Sequence, residues 1–373
     1  LSDVTLILLG AGSATRFKME PKKQWLYSAN KPLWLQVADH FSSLYDFDKV
    51  IIVSSRQECR LMKNFADYHY VEGGNTRQAS LSQALEKVST PYVLVSDIAR
   101  CCLDEAMIAR VLDAKEEADC IVPTLPLVDT LYINHKPVDR STAARIQTPQ
   151  LSCTKLLKQA FLAEDEYTDE SSAIAANFGE VLFVEGSEHA HKLTTIDDLR
   201  KLPCLKKPSS KTLTGFGIDI HPFEEGKAMM LCGTKIDVPY GFKAHSDGDV
   251  AIHALIDALL GAAGFGDIGE FYPDTDMQYA GADSGKLLED VVQRLRDCGL
   301  VIGNIDLTII AQAPKLLPYK EKMRQNLSTL LNIRANFVNI KATTAEELGF
   351  LGRKEGVAVQ AVANLTYFDW TEK

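Results

Sequence analysis

Apolar residues along this chain fall into two kinds of period. Val4–Leu9 is an unbroken apolar run, the pattern of a parallel strand buried on both faces. Pro32–Tyr45 has helical spacing. Lys49–Ser54, Tyr92–Ser96 and Cys120–Pro123 read as further strands, separated by helical stretches at Thr76–Val88 and Asp104–Ala118. This alternation predicts a doubly wound, Rossmann-like α/β sheet.

The pattern breaks at Arg200–Leu213, where two prolines, two serines and five basic residues read as an exposed linker. The expected domains are therefore 1–208 and 212–373. After the linker come strand Gly215–Ile220, helix Asp249–Leu260 with Asp247 as the expected N-cap, and helix Ser284–Cys298 closed by Gly299. Strand Asn304–Ala311, helix Tyr319–Leu331, strand Val338–Thr343 and strand Val357–Tyr367 follow. Long helices and strands in about 160 residues predict an α+β domain.

A length of 373 residues fits two domains. The net charge of −10 argues against general nucleic-acid binding. No apolar run reaches the length of a membrane span, and the first residues read as a strand rather than a signal peptide, so a cytoplasmic location is expected, the alternative being an organelle reached through a presequence outside this sequence. The eight cysteines form no Cys-x-x-Cys pair and are expected to be reduced core thiols.

Two constellations carry chemistry. Gly10-Ala11-Gly12 lets backbone N–H groups approach phosphate, although a tight strand-to-helix turn would look the same. Thr15 stands where a dinucleotide fingerprint needs its third glycine, and no Gly-Lys-Ser/Thr ends the turn as in a P-loop. Arg16 and Lys23 follow closely and suit charge developing on a transferred phosphoryl group. In the second half, Asp219 and His221 are two apart on a strand and face one side, and His253 lies on the next helix. A lone helical histidine is usually a core residue. One carboxylate and two imidazoles with no cysteine nearby make instead a three-ligand zinc set with an open position.

The first half resembles the 2-C-methyl-D-erythritol 4-phosphate cytidylyltransferases over roughly residues 3–202. The resemblance rests on an ordered set: Leu9–Gly12, Arg16, Lys22-Lys23-Gln24, Gly73–Ser80, Asp97–Arg100, Asp129-Thr130, Asp139-Arg140, Thr148–Gln150, Thr168–Glu170 and Lys192–Thr194. It implies that Arg16 and Lys23 stabilise the α-phosphate of CTP in its transition state, with Gly10, Ala11 and Gly12 beside the phosphates. It implies that Asp97 holds Mg²⁺ and that Gly74, Asn75 and Ser80 line the nucleoside pocket. Thr130, Arg140 and Lys192 would seat methylerythritol phosphate, with Arg100 also in the binding site. Gly10 and Ile98 stand where the family usually has alanine, Lys22 and Cys101 where it has proline, and Ser96 where it has histidine. Spacing to Gln24 favours Lys23 over Lys22 as the catalytic lysine.

The second half resembles the 2-C-methyl-D-erythritol 2,4-cyclodiphosphate synthases over about 213–368. The resemblance rests on Ala244–Leu255, Gly266–Gly269, Pro273–Asp276, Ala311–Lys315 and Lys341–Glu346, with Ala345 in place of a common threonine. It implies that Asp219, His221 and His253 hold Zn²⁺, and that Glu346 serves a second ion, Mg²⁺ or Mn²⁺. His245 and Thr344 would stabilise the transition state as the 2-phosphate of CDP-methylerythritol 2-phosphate attacks and CMP leaves. Ser246, Asp267, Gly269, Tyr272, Asp274 and Asp276 would contact substrate. Ala311, Pro314, Lys315, Leu317, Thr343, Phe350 and Arg353 would hold the cytosine and the phosphates. The resemblance further implies a homo-oligomer, trimer or hexamer, with cyclase sites between subunits.

Overall fold

The computed structural model describes residues 2–12, 16–162, 166–244, 246–273, 275–276 and 281–372. The chain divides into two compact units, Leu1–Pro208 and Ser209–Lys373. Among the described residues no helix is long and apolar enough to cross a membrane.

In the first unit the opening apolar run forms β1, Val4–Leu9. The sheet continues with β2 Val50–Ser54, β3 His69–Glu72, β4 Tyr92–Asp97, β5 Cys120–Pro126, β6 Ala144–Ile146, β7 Gln150–Cys153 and β8 Val181–Glu185. Their order is β6-β5-β7-β4-β1-β2-β3, with β8 parallel to β5. The centre is parallel, β1 lying between β4 and β2. β6 and β7 run antiparallel to their neighbours, so the sheet is mixed. The physical cause is the connection from β5, which returns through a hairpin, Leu131–Ile133 with Lys136–Val138, rather than through a crossover helix.

Helices α1 Leu33–Leu44, α2 Arg56–Met62, α3 Arg77–Leu85, α4 Glu105–Asp113, α5 Thr154–Ala160 and α6 Glu170–Ala176 accompany these strands. Two of them end sooner than the sequence pattern suggests, at Leu85 and Asp113. Register places Leu9 opposite both Val53 and Asp97. The carboxyl ends of β1, β2 and β4 therefore open side by side, the usual ligand edge of such a sheet.

Cys102 and Cys204 are joined by a disulfide across 102 positions. The expectation of reduced thiols is corrected for this pair; the other six are free. The turn after β4 brings Cys102 against the end of the unit, a tertiary approach that cysteine spacing does not reveal.

The second unit is built on β9 Leu213–Glu225, β10 Tyr240–Phe242, β11 Leu300–Ile310, β12 Val338–Thr343 and β13 Gly356–Tyr367, in the order β10-β9-β13-β11-β12. Helices α7 Val250–Ala263, α8 Ile268–Phe271, α9 Ser284–Asp297, α10 Lys320–Leu331 and α11 Gly349–Gly352 accompany it. A Cβ on Gly215 or Gly217 would sit 2.0 Å from the carbonyl oxygen of Ala258 or Ala254. Glycine at both places lets α7 lie directly on β9. The alternate residues Phe216, Ile218 and Ile220 are 59%, 49% and 46% exposed on the other face.

The cap of α7 differs from expectation. Asp249, not Asp247, is the N-cap, accepting from Ile252 N. Asp249 is fully buried and also accepts from Cys232 N and Gly233 N. Asp247 instead accepts from Ser284 N and Ser284 Oγ at the start of α9.

Candidate active sites

At the carboxyl edge of the first sheet, a cavity of about 500 Å³ is lined by Gly10, Ala11, Gly12, Arg16, Lys23, Gly74, Asn75, Ser80, Asp97 and Lys192. These ten sequence-derived residues come from five separate stretches of the chain. Ser13–Thr15, the rest of the turn, lie outside the described residues. Ser80 Oγ donates to Thr76 O at 2.8 Å and fixes the entry of α3.

Asp97 is the electrostatic centre. Lys192 Nζ donates to its Oδ2 at 2.7 Å, and Arg77 Nε lies 3.9 Å from its Oδ1. Burial alone would raise the Asp97 carboxyl, but the charges of Lys192 and Arg77 outweigh it and hold it below the ordinary carboxylate range. Lys23 is lowered from the ordinary lysine value, first by burial and then by the cations Lys192 and Arg16, against the pull of Asp97.

Arg77 and Glu170 lie in segments that carry the resemblance, and the motifs give neither a role. Arg77 donates to Glu170 through Nη1 at 2.7 Å and Nη2 at 3.3 Å, and Glu170 is fully buried. This two-pronged pair aims the remaining guanidinium nitrogen at Asp97. The motif segments alone do not show that the two residues meet, because 93 positions separate them.

Lys192 also borders a second cavity of about 360 Å³ with Arg100, Arg145, Gln147 and His191. Arg100 is held by Thr148 Oγ1, 3.0 Å from its Nε, and by Ala190 O, 2.6 Å from its Nη1. Thr130 and Arg140 line neither cavity. They are exposed at the base of the hairpin between β5 and β6, where Arg140 donates to Val128 O.

The departures at Gly10 and Ile98 are one feature. A methyl on Gly10 would come within 2.5 Å of Ile98 Cδ1. Lys22 is accounted for as well, since its Nζ pairs with Glu58 Oε2 at 3.7 Å.

In the second unit, β9 presents Asp219 and His221 to α7, which supplies His253. Asp219 Oδ2 is 3.1 Å from His221 Nε2 and 3.3 Å from His253 Nδ1. The three ligand atoms lie within 4.8 Å of one another. Burial would raise the Asp219 carboxyl, but hydrogen bonds from both imidazoles and their charge hold it far below the ordinary range.

Each ring has its remaining nitrogen occupied. His221 Nδ1 is 3.1 Å from Gly248 O, and His253 Nε2 is 3.0 Å from Ser284 Oγ. A carbonyl accepts only, so His221 Nδ1 carries a proton and donates it there. Ser284 Oγ donates to Asp247 Oδ1, so it accepts from His253 Nε2–H. With those protons fixed on the far side of each ring, giving up the proton shared with Asp219 would leave His221 Nε2 and His253 Nδ1 as lone-pair donors, and the set fits a divalent metal with three protein ligands.

The other residues of the second constellation are more scattered. His245 and Asp274 lie outside the described residues. Ser246 Oγ is 3.4 Å from His253 Nε2. Asp267 caps α8, accepting from Glu270 N at 2.9 Å, while Gly269 and Asp276 are exposed. Tyr272 is buried, its hydroxyl directed to Asp290. Ala311, Pro314, Lys315 and Leu317 follow β11; Thr343 ends β12, and Thr344, Glu346, Phe350 and Arg353 come after it, all five of these exposed. Thr344 Oγ1 donates to Glu346 Oε1, and Arg353 pairs with Glu355.

Thr343 aligns with Ile310, Ile310 with Ala358, and Ala358 with Ile220. At the usual strand separation the end of β12 lies about 14 Å from the Asp219–His221 segment of β9.

A mixed α/β sheet with a cation-lined phosphate turn, followed by an α+β unit with an Asp-His-His cluster, defines a two-domain enzyme of nucleotide and phosphate chemistry. The chain matches the 2-C-methyl-D-erythritol 4-phosphate cytidylyltransferase family over residues 4–203 and the YgbB family over 212–366. It is 66% identical to the bifunctional enzyme IspD/IspF of Sulfurovum sp., covering 100% of both chains. It is 55% identical to that of Sulfurimonas denitrificans, over 100% of this chain and 96% of the relative. Among solved structures, the bifunctional IspDF from Campylobacter jejuni aligns with a TM-score of 0.86 at 46% identity, covering 99% of this chain and 100% of that one. The chain belongs to the bifunctional IspD/IspF family, joining a cytidylyltransferase and a cyclodiphosphate synthase of isoprenoid biosynthesis.

Proposed function

We propose that the first cavity carries transfer of the cytidylyl group of CTP to 2-C-methyl-D-erythritol 4-phosphate, and that the Asp219 cluster carries cyclisation of CDP-methylerythritol 2-phosphate. The observation that supports the first assignment most is the convergence of Arg16, Lys23 and Lys192 on the cavity wall around Asp97. The substrate's phosphate oxygen attacks the α-phosphorus and pyrophosphate leaves. Negative charge grows on the α-phosphate, where Arg16 and Lys23 oppose it. Gly74, Asn75 and Ser80 take the nucleoside, and the glycine turn takes the phosphates. Arg100 and Lys192, on the adjoining cavity, seat the sugar phosphate. Magnesium at Asp97 would add charge compensation when the nucleotide is bound.

In the second unit, Asp219, His221 and His253 would hold zinc, which polarises a phosphate oxygen of the substrate when bound. Glu346 would hold a second divalent cation, magnesium or manganese. The 2-phosphate attacks the β-phosphorus and CMP leaves, with His245 and Thr344 donating to the charge that develops. Ser246, Asp267, Gly269, Tyr272, Asp274 and Asp276 lie on the sugar side. Ala311, Pro314, Lys315, Leu317, Thr343, Phe350 and Arg353 lie on the cytidine and phosphate side.

Two observations support a homo-oligomer. Thr343, at the end of β12, stands about 14 Å across the sheet from the strand of the proposed zinc ligands, too far for adjacent phosphates of one substrate within one chain. A cyclic trimer brings β9 of one subunit toward β12 of the next and covers Phe216, Ile218 and Ile220. The exposed hairpin that carries Thr130 and Arg140 supports pairing of transferase domains, which would raise the trimer to a hexamer. A cytoplasmic location suits this reading, since CTP is supplied there.

Reciprocal substitutions test the assignment. Arg16→Ala should lower pyrophosphate release from CTP and methylerythritol phosphate and leave CMP release from the cyclase substrate intact. Asp219→Ala should do the reverse and lose zinc. Loss of both activities in either folded variant would refute the assignment of separate sites.

A further inference from the structure

Glu58 is a buried carboxylate with no part in the chemistry above. It is 5% exposed and accepts four side-chain hydrogen bonds. Gln24 Nε2 and Trp25 Nε1 both donate to Oε1 at 2.8 Å. Ser54 Oγ at 2.9 Å and Ser55 Oγ at 2.8 Å donate to Oε2. Lys22 Nζ lies 3.7 Å from the same Oε2.

These partners belong to two places. Ser54 ends β2 beside the carboxyl end of β1, and Ser55 caps α2, whose third residue is Glu58. Lys22, Gln24 and Trp25 flank Lys23 in a short 3-10 turn, Lys23–Trp25. Gln24 and Trp25 are 2% and 0% exposed. Of the four residues from 22 to 25, Lys22, Gln24 and Trp25 reach Glu58, and Lys23 between them lines the nucleotide cavity.

A lysine on a four-carbon stem is flexible, and stabilising a phosphoryl transition state requires its ammonium within a few tenths of an ångström of one place. A three-residue turn has too few backbone hydrogen bonds to fix that place by itself. One carboxylate that grips the residues on both sides of Lys23 and anchors them to the end of a central strand supplies the missing restraint.

We propose that Glu58 is a positioning residue for cytidylyl transfer, clamping the turn that carries Lys23, and that Lys22 is its counter-ion rather than a second catalytic lysine. The proposal rests on the assignment of Lys23 to the transferase site.

The test uses the full-length protein, so that CMP release by the cyclase reports intact folding of the other unit. Glu58→Ala should lower kcat for pyrophosphate release by roughly 10- to 100-fold while changing CTP affinity less than about threefold, because the lost restraint matters most in the transition state. Glu58→Gln should recover most of kcat, since its oxygen still accepts from Gln24 and Trp25 and its amide can donate to the serine hydroxyls. Lys22→Ala should stay within about threefold of the parent, and adding it to Glu58→Ala should have no further effect. Trp25→Phe, which keeps an aromatic side chain and removes one donor, covers the case in which Glu58→Ala does not fold and should lower kcat with CTP affinity unchanged. Parent-like kcat in folded Glu58→Ala, or in Trp25→Phe and Glu58→Gln together with an unfolded alanine variant, would overturn the proposal. So would a loss in which kcat and CTP affinity fall together without rescue by glutamine. Lys23→Ala in the same assay separates the two levels: normal turnover there sinks the site assignment itself, whereas impaired Lys23→Ala beside normal Glu58→Ala sinks only the clamp.

Discussion

Ile98 Cδ1 occupies the space that a methyl group on Gly10 would need, at a separation of 2.5 Å. Gly10 follows the first strand at the phosphate turn, and Ile98 follows Asp97. One volume is thus shared between two loops of the transferase site, and the two departures from the family pattern compensate each other. Gly10→Ala should overpack this point and cost about 1–3 kcal/mol. Ile98→Ala should cost about 2–5 kcal/mol through the cavity it leaves. The double variant should be more stable than the sum of the two costs by at least about 1 kcal/mol, measured by urea unfolding of the transferase transition. Additivity within about 0.5 kcal/mol would mean the residues do not share that space.

The hydroxyl of Ser284 joins His253 to Asp247 and selects the ring tautomer whose free nitrogen faces Asp219. Ser284→Ala removes that selection without touching a ligand atom. Zinc affinity, read by chelator competition, should fall about 10- to 100-fold while pyrophosphate release is unchanged. Unaltered zinc affinity would show that the ring is oriented by packing alone.

Lys23 must carry its charge to act on phosphate, and its pKa is depressed by burial and by Lys192 and Arg16. A depressed pKa means that the proton is lost earlier as pH rises. The alkaline limb of kcat/KM for CTP, which reports free enzyme, should therefore fall below the ordinary lysine value of about 10.4. The limb in kcat should lie higher, because bound triphosphate favours the ammonium form. Lys23→Arg should abolish the limb, whatever its residual activity, since guanidinium stays charged throughout. A limb that persists in the arginine variant would belong to another group.

Much of the placement of both candidate sites was legible because their residues are local in sequence. The Gly10–Gly12 turn, the Gly74–Ser80 segment and the pair Asp219 and His221 each lie within a few residues on one element, and strand period alone aligns the last two. His253 was legible through the helix that follows. What stayed hidden depends on partners far apart in the chain. Nothing near Arg77 signals that Glu170 will receive it, and nothing near Cys102 signals Cys204. The cap of α7 was misplaced by two residues because Asp247 and Asp249 are equally good caps by type. Asp249 takes the position because Cys232 N and Gly233 N also need its carboxylate. The mixed sheet followed from the hairpin after β5, which carries no long apolar run to announce it.

Arg140 and Thr130 stand apart from the cavity that the other transferase residues build. Both are exposed on an arm whose Val128, Tyr132 and Ile133 are 72%, 60% and 55% exposed as well. An apolar arm bearing residues proposed to bind substrate suits a neighbour's site, because pairing would bury the arm and deliver the cation together. Subunit mixing tests this. Arg140→Ala and Lys23→Ala should each be nearly inactive in pyrophosphate release when pure. After unfolding and refolding as an equal mixture, half of the pairs should combine one chain of each kind. In such a pair, the site with intact Lys23 receives Arg140 from the other chain. About a quarter of parental activity should therefore return, growing as subunits exchange. Cyclase activity should remain constant throughout and serve as the control for refolding. If the mixture stays as inactive as its components, Arg140 serves the site of its own chain and the arm must fold back to reach it.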